Sequence, residues 1–378
     1  MGKYRSNNCP CGIEEIKIFF SSIFNPKISF YATTTLPHKR KSELHLIFVK
    51  ANTINHPRYK LRNKKVMVIL FILITIILIF VADFYIEFLI FGEYNQTPLD
   101  IQTFDNYNQP YHPSVVFIQN RWNGYRYWMV ETPYPIGGLP YRDRWECPTI
   151  HVSNNGKKWI SLNSKVPIDD LNTQQIENHD FFSDPHLVLK DKNLECFYRF
   201  SRKEGEGYHT YLLRKSSKDG INWTEREVLV DLMSVDALKT VGDMVRSHAV
   251  LFEDGLYHMW YVDGYNPKGS KHVCLSTSID GFAWRQRIIC KLNGPDIKPW
   301  HIDVNHIDDH YYMIVYDFHK LTIWISNDGM EFSFSRDLLS PSFIQGSFYS
   351  EGLYRSSIIK DNEGLKVFFS AMTSIRHI

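Results

Sequence analysis

The chain has 378 residues, 44% of them hydrophobic and 15% aromatic, which is enough apolar material for one large core and too much for a disordered protein. Its formal net charge of +2 conceals an asymmetry: residues 1–65 hold 13 of the 43 basic side chains and 3 of the 41 acidic ones, leaving 30 basic against 38 acidic in the remainder. That balance excludes a nucleic-acid groove from the main body, where a basic surface is expected.

Residues 1–65 show no clear period and read as a basic cytosolic tail, or as an extension from a start codon assigned too far upstream of Met67. Cys9-Pro-Cys11 lacks the spacing and the second pair of a zinc site. Val66 to Ala82 carries no charge and one polar residue, Thr75, over 17 residues, the short end of the membrane-spanning range. Lys60, Arg62, Lys64 and Lys65 precede it, while Asp83, Glu87 and Glu93 follow. The positive-inside rule then places the N-terminus in the cytosol and the rest outside. With no small-residue cleavage site, residues 66–92 are expected to form an uncleaved single-pass signal anchor. Residues 93–111 are polar, with Pro98 and Pro110, and read as a linker or a ring-closing strand.

The remaining chain, 112–378, repeats one grammar. Four strand-like runs end in Ser153-Asn-Asn-Gly-Lys-Lys-Trp159, Ser217-Lys-Asp-Gly-Ile-Asn-Trp223, Ser278-Ile-Asp-Gly-Phe-Ala-Trp284 and Ser326-Asn-Asp-Gly-Met-Glu-Phe332. Asp-Gly or Asn-Gly between apolar and aromatic runs predicts hairpins with type I′ turns, which need φ > 0 at both central residues. The serines lie 64, 61 and 48 residues apart, a spacing that suits one four-stranded sheet per unit. Units open at His112-Pro, Asp184-Pro, Arg246-Ser-His, His301-Ile-Asp and Tyr354-Arg-Ser. The last lacks a third strand with its turn. The expected fold is all-β, a five-bladed propeller whose last blade is incomplete, preceded by one transmembrane helix. Cys147, Cys196, Cys274 and Cys290 would then lie in an oxidising compartment, where disulfides are possible but the sequence cannot pair them.

In a propeller the first strand of each blade lines the central channel, so the residues opening these strands converge on one mouth. They are His112, Asp184 with His186, Arg246 with His248, His301 with Asp303, and Arg355; Arg144, Trp145 and Glu146 open a third strand on the same rim. Carboxyls, imidazoles and guanidiniums among aromatics, with Trp300 beside His301, suit a sugar pocket: polar groups for hydroxyls, flat faces for the ring, paired carboxyls for acid and base work. Structural alternatives stand beside each. Asp184 before Pro185 is also a turn former, Glu146 could pair with Arg142 or Arg144, and His301 and Asp303 could satisfy each other. No helical or Cys/His spacing supports a metal, and no cofactor is expected.

At these motifs the chain resembles a known family. His112-Pro-Ser-Val-Val, Glu146-Cys-Pro-Thr-Ile, Ser183-Asp-Pro-His, Trp300-His-Ile-Asp-Val and Leu353-Tyr-Arg-Ser-Ser, punctuated by the Asp-Gly turns, are similar to the five-bladed propeller superfamily of arabinanases, β-xylosidases, invertases and levansucrases. The similarity covers about residues 108–378 and is closest to an uncharacterised branch. The resemblance implies an Asp opening the first blade as base or nucleophile, an Asp opening the second as its electrostatic partner, and a Glu opening the third as general acid. Asp184 matches the second. His112 stands at the first, and Arg246-Ser247-His248 at the third. Glu146-Cys147-Pro148 is similar in letters to the invertase acid motif but precedes Asp184. A sialidase-like propeller is disfavoured, because the sialidase Asp box carries an extra residue between Asp and Gly.

The expected function is a membrane-anchored, extracytoplasmic glycoside hydrolase or transglycosylase acting on a cell-surface or extracellular glycan. Glu146 would be the acid and Asp184 or Asp303 the base or nucleophile. His112, Arg144, Trp145, His186, Arg246, His248, Trp300, His301 and Arg355 would bind substrate. The alternative is a propeller that binds a glycan without cleaving it, which the two unmatched carboxylates favour.

Overall fold

The computed structural model describes residues 28–33, 71–75, 96–106, 108–134, 146–162, 166–242, 244–264, 271–340, 349 and 352–372. The β-branched and aromatic runs of the repeats form strands, giving an all-β, propeller-like fold. The first sheet pairs Pro110–Trp122, Tyr125–Pro133, Thr149–Ser153 and Ile160–Ser161 in order; the second pairs Phe181–Lys190, Asn193–Glu204, Gly207–Ser217 and Glu227–Asp231. The third runs Val245–Glu253, Leu256–Asp263, His272–Ser278 and Ile288–Ile289. His301–Ile307, His310–Tyr316, Leu321–Ser326 and Glu331–Leu339 form the fourth, with Lys291–Asn293 added in parallel at its outer edge.

The fifth sheet is assembled from distant segments. Gly352–Asp361 and Gly364–Met372 form its hairpin, and Ile28–Thr33 and Gln96–Leu99 add to it in parallel. The strand missing from the last repeat is thus supplied from upstream of the first. Of the expected anchor, residues 71–75 are helical and exposed and the others lie outside the described residues. Among the described residues, no helix is long and apolar enough to cross a membrane.

The apolar residues sort into five layers, each between two neighbouring sheets. Trp128, Val130 and Val152 meet Phe182, Leu194 and Tyr198 between the first and second. Val115, Tyr127 and Met129 meet Ile359 and Phe368 between the first and fifth. The opening strands of the five sheets pack in a closed cycle, and side chains stitch each to the next. Ser114 Oγ accepts the Leu187 N–H at 3.0 Å, His186 Nε2 donates to the Val250 carbonyl at 3.1 Å, and Ser247 Oγ accepts the Ile302 N–H at 3.0 Å. Asp303 Oδ2 then accepts the Ile358 N–H at 2.7 Å, and Ser357 Oγ accepts the Val115 N–H at 3.0 Å. Strands splayed around an axis cannot pair their inner backbone groups as a ladder does, so polar side chains take these bonds.

The four repeated turns fall between third and fourth strands, but they are not type I′. Only the glycines have positive φ, between 68° and 85°; Asn155, Asp219, Asp280 and Asp328 do not. Local hydrogen bonds replace the expected geometry. In the second turn Ser217 Oγ accepts the Gly220 N–H at 2.8 Å, and Asp219 Oδ1 accepts the N–H groups of Ile221 and Asn222 at 2.8 and 2.7 Å. The serine and the Asx side chain together satisfy the turn backbone, so only the glycine enters the left-handed region. Packing reinforces that choice. A Cβ on Gly220 would stand 2.1 Å from the Trp128 ring, and one on Gly329 2.9 Å from Trp260. Each of these turns lies on a fully buried tryptophan of the preceding sheet.

Candidate active site

Four of the five opening strands carry a bulge at the same height. Register jumps from Tyr111 to Ser114, from Ser183 to His186, from Arg246 to Ala249 and from Leu353 to Ser356. Two residues then face one on the partner strand, which bends the strand and re-aims a side chain. His112, Asp184 and Ser247 take φ of 51°, 53° and 49° there, a conformation that non-glycine residues hold only when their surroundings enforce it. Pro113 and Pro185 follow, and lacking an N–H they lose no ladder bond at the bulge. Asp184 is therefore a bulge residue inside a strand, not the first residue of a turn.

The bulges of the first and second sheets bring His112 and Asp184 to His301 on the unbulged opening strand of the fourth, all buried, with one potential ligand atom from each within 4.8 Å of the others. His301 Nδ1 stands 3.7 Å from Asp184 Oδ1, and the His112 and His301 ring centroids are 5.5 Å apart. Asp184 Oδ2 accepts from Arg199 at 3.0 Å, and Arg355 approaches Oδ1 at 3.3 Å while donating to the His248 carbonyl at 2.9 Å. Burial works against the Asp184 charge, but Arg355, His112 and Arg199 outweigh it and hold the carboxyl well below its usual range. Desolvation lowers His112 to about 4 and His301 well below its ordinary value, so both imidazoles are neutral near pH 7. His112 Nδ1 is engaged with Thr132 Oγ1 at 2.8 Å. Neither ring nitrogen of His301 makes a hydrogen bond among the described residues.

Glu146, at φ 52° ahead of the strand Thr149–Ser153, reaches the same place. Its Oε2 lies 3.7 Å from His112 Nδ1 and makes no hydrogen bond among the described residues. Burial, reinforced by the Asp184 charge, raises its carboxyl well above the ordinary value, the opposite direction to Asp184. Tyr354 meets His301 edge-on with centroids 4.3 Å apart and His112 at a tilt with centroids 5.3 Å apart, and Trp300 lies 6.0 Å from His301.

Asp303 is placed otherwise. It accepts the Ile358 N–H in the stitching ring, 3.7 Å from His186 Nδ1, and with His186 lines a cavity of about 600 Å³ formed by the opening strands. The expected roles of Asp303 as base and His186 as substrate contact meet this different geometry because alternation along an unbulged strand sends residues 301 and 303 to two successive depths. Arg144 and Trp145 lie outside the described residues. Sequence reasoning missed Arg199, Thr132 and Tyr354. Arg199 is opposite Ser183 on the adjacent strand, so a cross-strand pairing of the Phe-Tyr-Arg-Phe run with Ser183-Asp184 could have found it. Nothing local marks the metal-type donor set, since its three members come from three sheets.

The fold is all-β and propeller-like, with a buried polar cluster at one mouth of the channel. One relative is the A type blood N-acetyl-α-D-galactosamine deacetylase of Flavonifractor plautii, 23% identical over 316 residues, covering 70% of this chain and 40% of that protein. The chain thus spans about two-fifths of that relative's length. A solved N-acetylgalactosamine deacetylase from F. plautii, in complex with blood group B trisaccharide, superposes with a TM-score of 0.57 at 23% identity, over 70% of this chain and 80% of that one. Sucrose-6-phosphate hydrolase from Lactobacillus gasseri gives 0.50 at 13% identity, over 68% and 52%. At these identities the likeness is one of fold. No protein-family model matches the chain.

Proposed function

We propose that this chain is a carbohydrate-active enzyme, a five-bladed propeller that hydrolyses an acylamino group on a glycan with a divalent metal held by His112, Asp184 and His301. The buried donor set carries this proposal. Neutral imidazoles are the ligating form. Ligation would give His301 the partner its ring nitrogens otherwise lack. Thr132 on His112 Nδ1 fixes the ring and leaves Nε2 for the ion. Two imidazoles and one carboxylate suit a borderline ion such as zinc better than calcium, and leave positions open.

Such an ion, when bound, supplies Lewis acidity and lowers the pKa of a coordinated water. Arg199 and Arg355 keep Asp184 ionised and oriented. Glu146, whose carboxyl burial pushes toward the neutral form, is placed to exchange a proton at its free Oε2 as a general acid–base. Tyr354 and Trp300 supply aromatic surface beside the donor set. The activity named for the F. plautii relative, deacetylation of an N-acetylated galactosamine, supports the acylamino class. Five sheets, five intervening apolar layers and a closed ring of stitches support the blade count.

Glycoside hydrolysis is the second proposal, favoured by the same two carboxyls. Glu146 is pushed up and Asp184 down, the divergence that separates an acid from a base or nucleophile. The test is to incubate the full chain with zinc or manganese and N-acetylhexosamine-terminated oligosaccharides. Acetate release that is abolished by chelation and by Glu146→Gln is the expected result. Release of reducing sugar, indifferent to chelator, would move the chain to the glycosidases. Neither product with any metal would overturn both and leave a glycan-binding propeller.

We further propose extracytoplasmic placement through a membrane anchor at residues 66–92. A single pass there would separate Ile28–Thr33 from Gly364–Met372, so the anchored form is one in which this strand leaves the fifth sheet. Protease protection of residues 93–378 in sealed vesicles tests it, and full digestion from the cytosolic side would refute it.

A further inference from the structure

We infer that the mouth carries a subsite for an anionic sugar, a glycan residue bearing a carboxylate, sulfate or phosphate, formed by Arg246, Lys271 and Trp300. It rests on the proposal that the mouth binds a glycan, and it narrows the substrate class. Arg246 comes from the opening strand of the third sheet, Lys271 from just before that sheet's third strand, and Trp300 from just before the opening strand of the fourth. The Arg246 guanidinium lies 4.1 Å and the Lys271 ammonium 3.7 Å from the Trp300 ring centroid. Two cations therefore share one indole, which stabilises each but does not cancel their mutual repulsion. Their contacts are aromatic; among the described residues neither reaches a carboxylate within ion-pair distance, whereas Arg199, Arg214, Arg226 and Arg287 all do.

The surroundings amplify the imbalance. The Asp184 carboxylate is already engaged by Arg199 at 3.0 Å and by the buried Arg355 at 3.3 Å, and burial pushes the Glu146 carboxyl well above its ordinary value, so neither pairs with Arg246 or Lys271. Burial and then Arg246 pull Lys271 down to about 8, as expected for a cation crowded by another without a counter-ion. A cleft with excess charge of one sign concentrates ligands of the other. Trp300 lies 6.0 Å from His301, so an acidic sugar held by the two cations would place its neighbouring sugar above the donor set. A neutral glycan would leave both cations unpaired; an acidic one offers each a charge-assisted hydrogen bond.

The test is calorimetric titration of the full chain, at fixed low ionic strength, with matched oligosaccharide pairs that differ only in charge. The pairs are uronate- against hexose-terminated, sulfated against unsulfated, and phosphorylated against unphosphorylated. None carries an acylamino group, so binding is read independently of the proposed hydrolysis, and failure of either proposal leaves the other measurable. The expected result is about tenfold or greater preference for the acidic member of at least one pair, as loss of a charged hydrogen bond implies. Arg246→Gln with Lys271→Gln should erase that preference, and Lys271→Gln alone, at a less buried position, should reduce it while the thermal melt stays cooperative. Equal affinity within every pair, no binding of any acidic member, or a preference that survives the double substitution would overturn the assignment.

Discussion

Two Asp–His pairs stand one above the other in the channel, built from the same two strands with the residues exchanged. In the upper pair Asp184 comes from the second sheet and His301 from the fourth, 3.7 Å apart; in the lower, His186 and Asp303 come from those sheets in the opposite sense, also 3.7 Å apart. The lower pair is satisfied. His186 meets Ser114 Oγ and the Val250 carbonyl, and Asp303 takes a backbone N–H. The upper pair is polarised, with two arginines on the carboxylate and an imidazole that makes no hydrogen bond. Burial alone therefore does not distinguish structural from functional groups here. The partners do, because a group whose bonds are complete has no capacity left for a ligand.

The sharpest way to break this contrast is to exchange the two aspartates for asparagine. Asp184→Asn would strip the buried arginines of their counter-charge, at a cost of about 3–5 kcal/mol by chemical denaturation, and abolish metal uptake measured by calorimetry. Asp303→Asn keeps one acceptor oxygen but sets an NH2 donor among the groups that donate to this carboxyl, and should cost about 1–3 kcal/mol while metal uptake persists. Equal metal loss in both would show that the two depths are one site. Next, Glu146→Gln should lower kcat by about 10²–10⁴ with the melting curve unchanged; unchanged kcat would remove Glu146 from the chemistry. Thr132→Val should weaken metal binding about 10–100-fold through the His112 ring, and an unaltered affinity would show that Thr132 serves only packing.

The smallest effects belong to the rim. Asp219 accepts two backbone N–H groups, which lower its carboxyl from 3.8 to about 2. A depressed folded-state value means that stability is present above the unfolded pKa and is lost as pH falls through the folded one. The second turn should therefore loosen between about pH 4 and 2, read as faster amide exchange at Ile221 and Asn222. Asp219→Asn should remove this pH dependence while keeping the turn, as Asn155 does in the first repeat through its bonds to Lys157 and Lys158. A pH response that survives the substitution would assign it elsewhere.

Much of the fold was legible because it is written locally. Strand runs, Ser-x-Asp-Gly turns and the absence of a third strand from the last unit all follow from residues near one another in the chain. The turn type was misread for a local reason too: Ser217 and Asp219 supply hydrogen bonds that a rule built on φ at the Asp-Gly pair does not count. The site was legible by position and not by role. His112, Asp184, His301 and Arg355 were singled out because they open strands, and they do meet, but the strand-opening rule could not separate Asp184 from Asp303 or find Arg199 one strand away.

By itself the sequence determined a ring of repeated antiparallel sheets and the set of polar residues facing its axis, since alternation and turn chemistry act over a few residues. Only the tertiary structure decided which of those residues share a depth, which carboxyl is pushed up and which is held down, and that strands from before the first repeat complete the last sheet. Those outcomes depend on bulges and on desolvation by residues far apart in the chain. Both act through distances that no spacing in the sequence records.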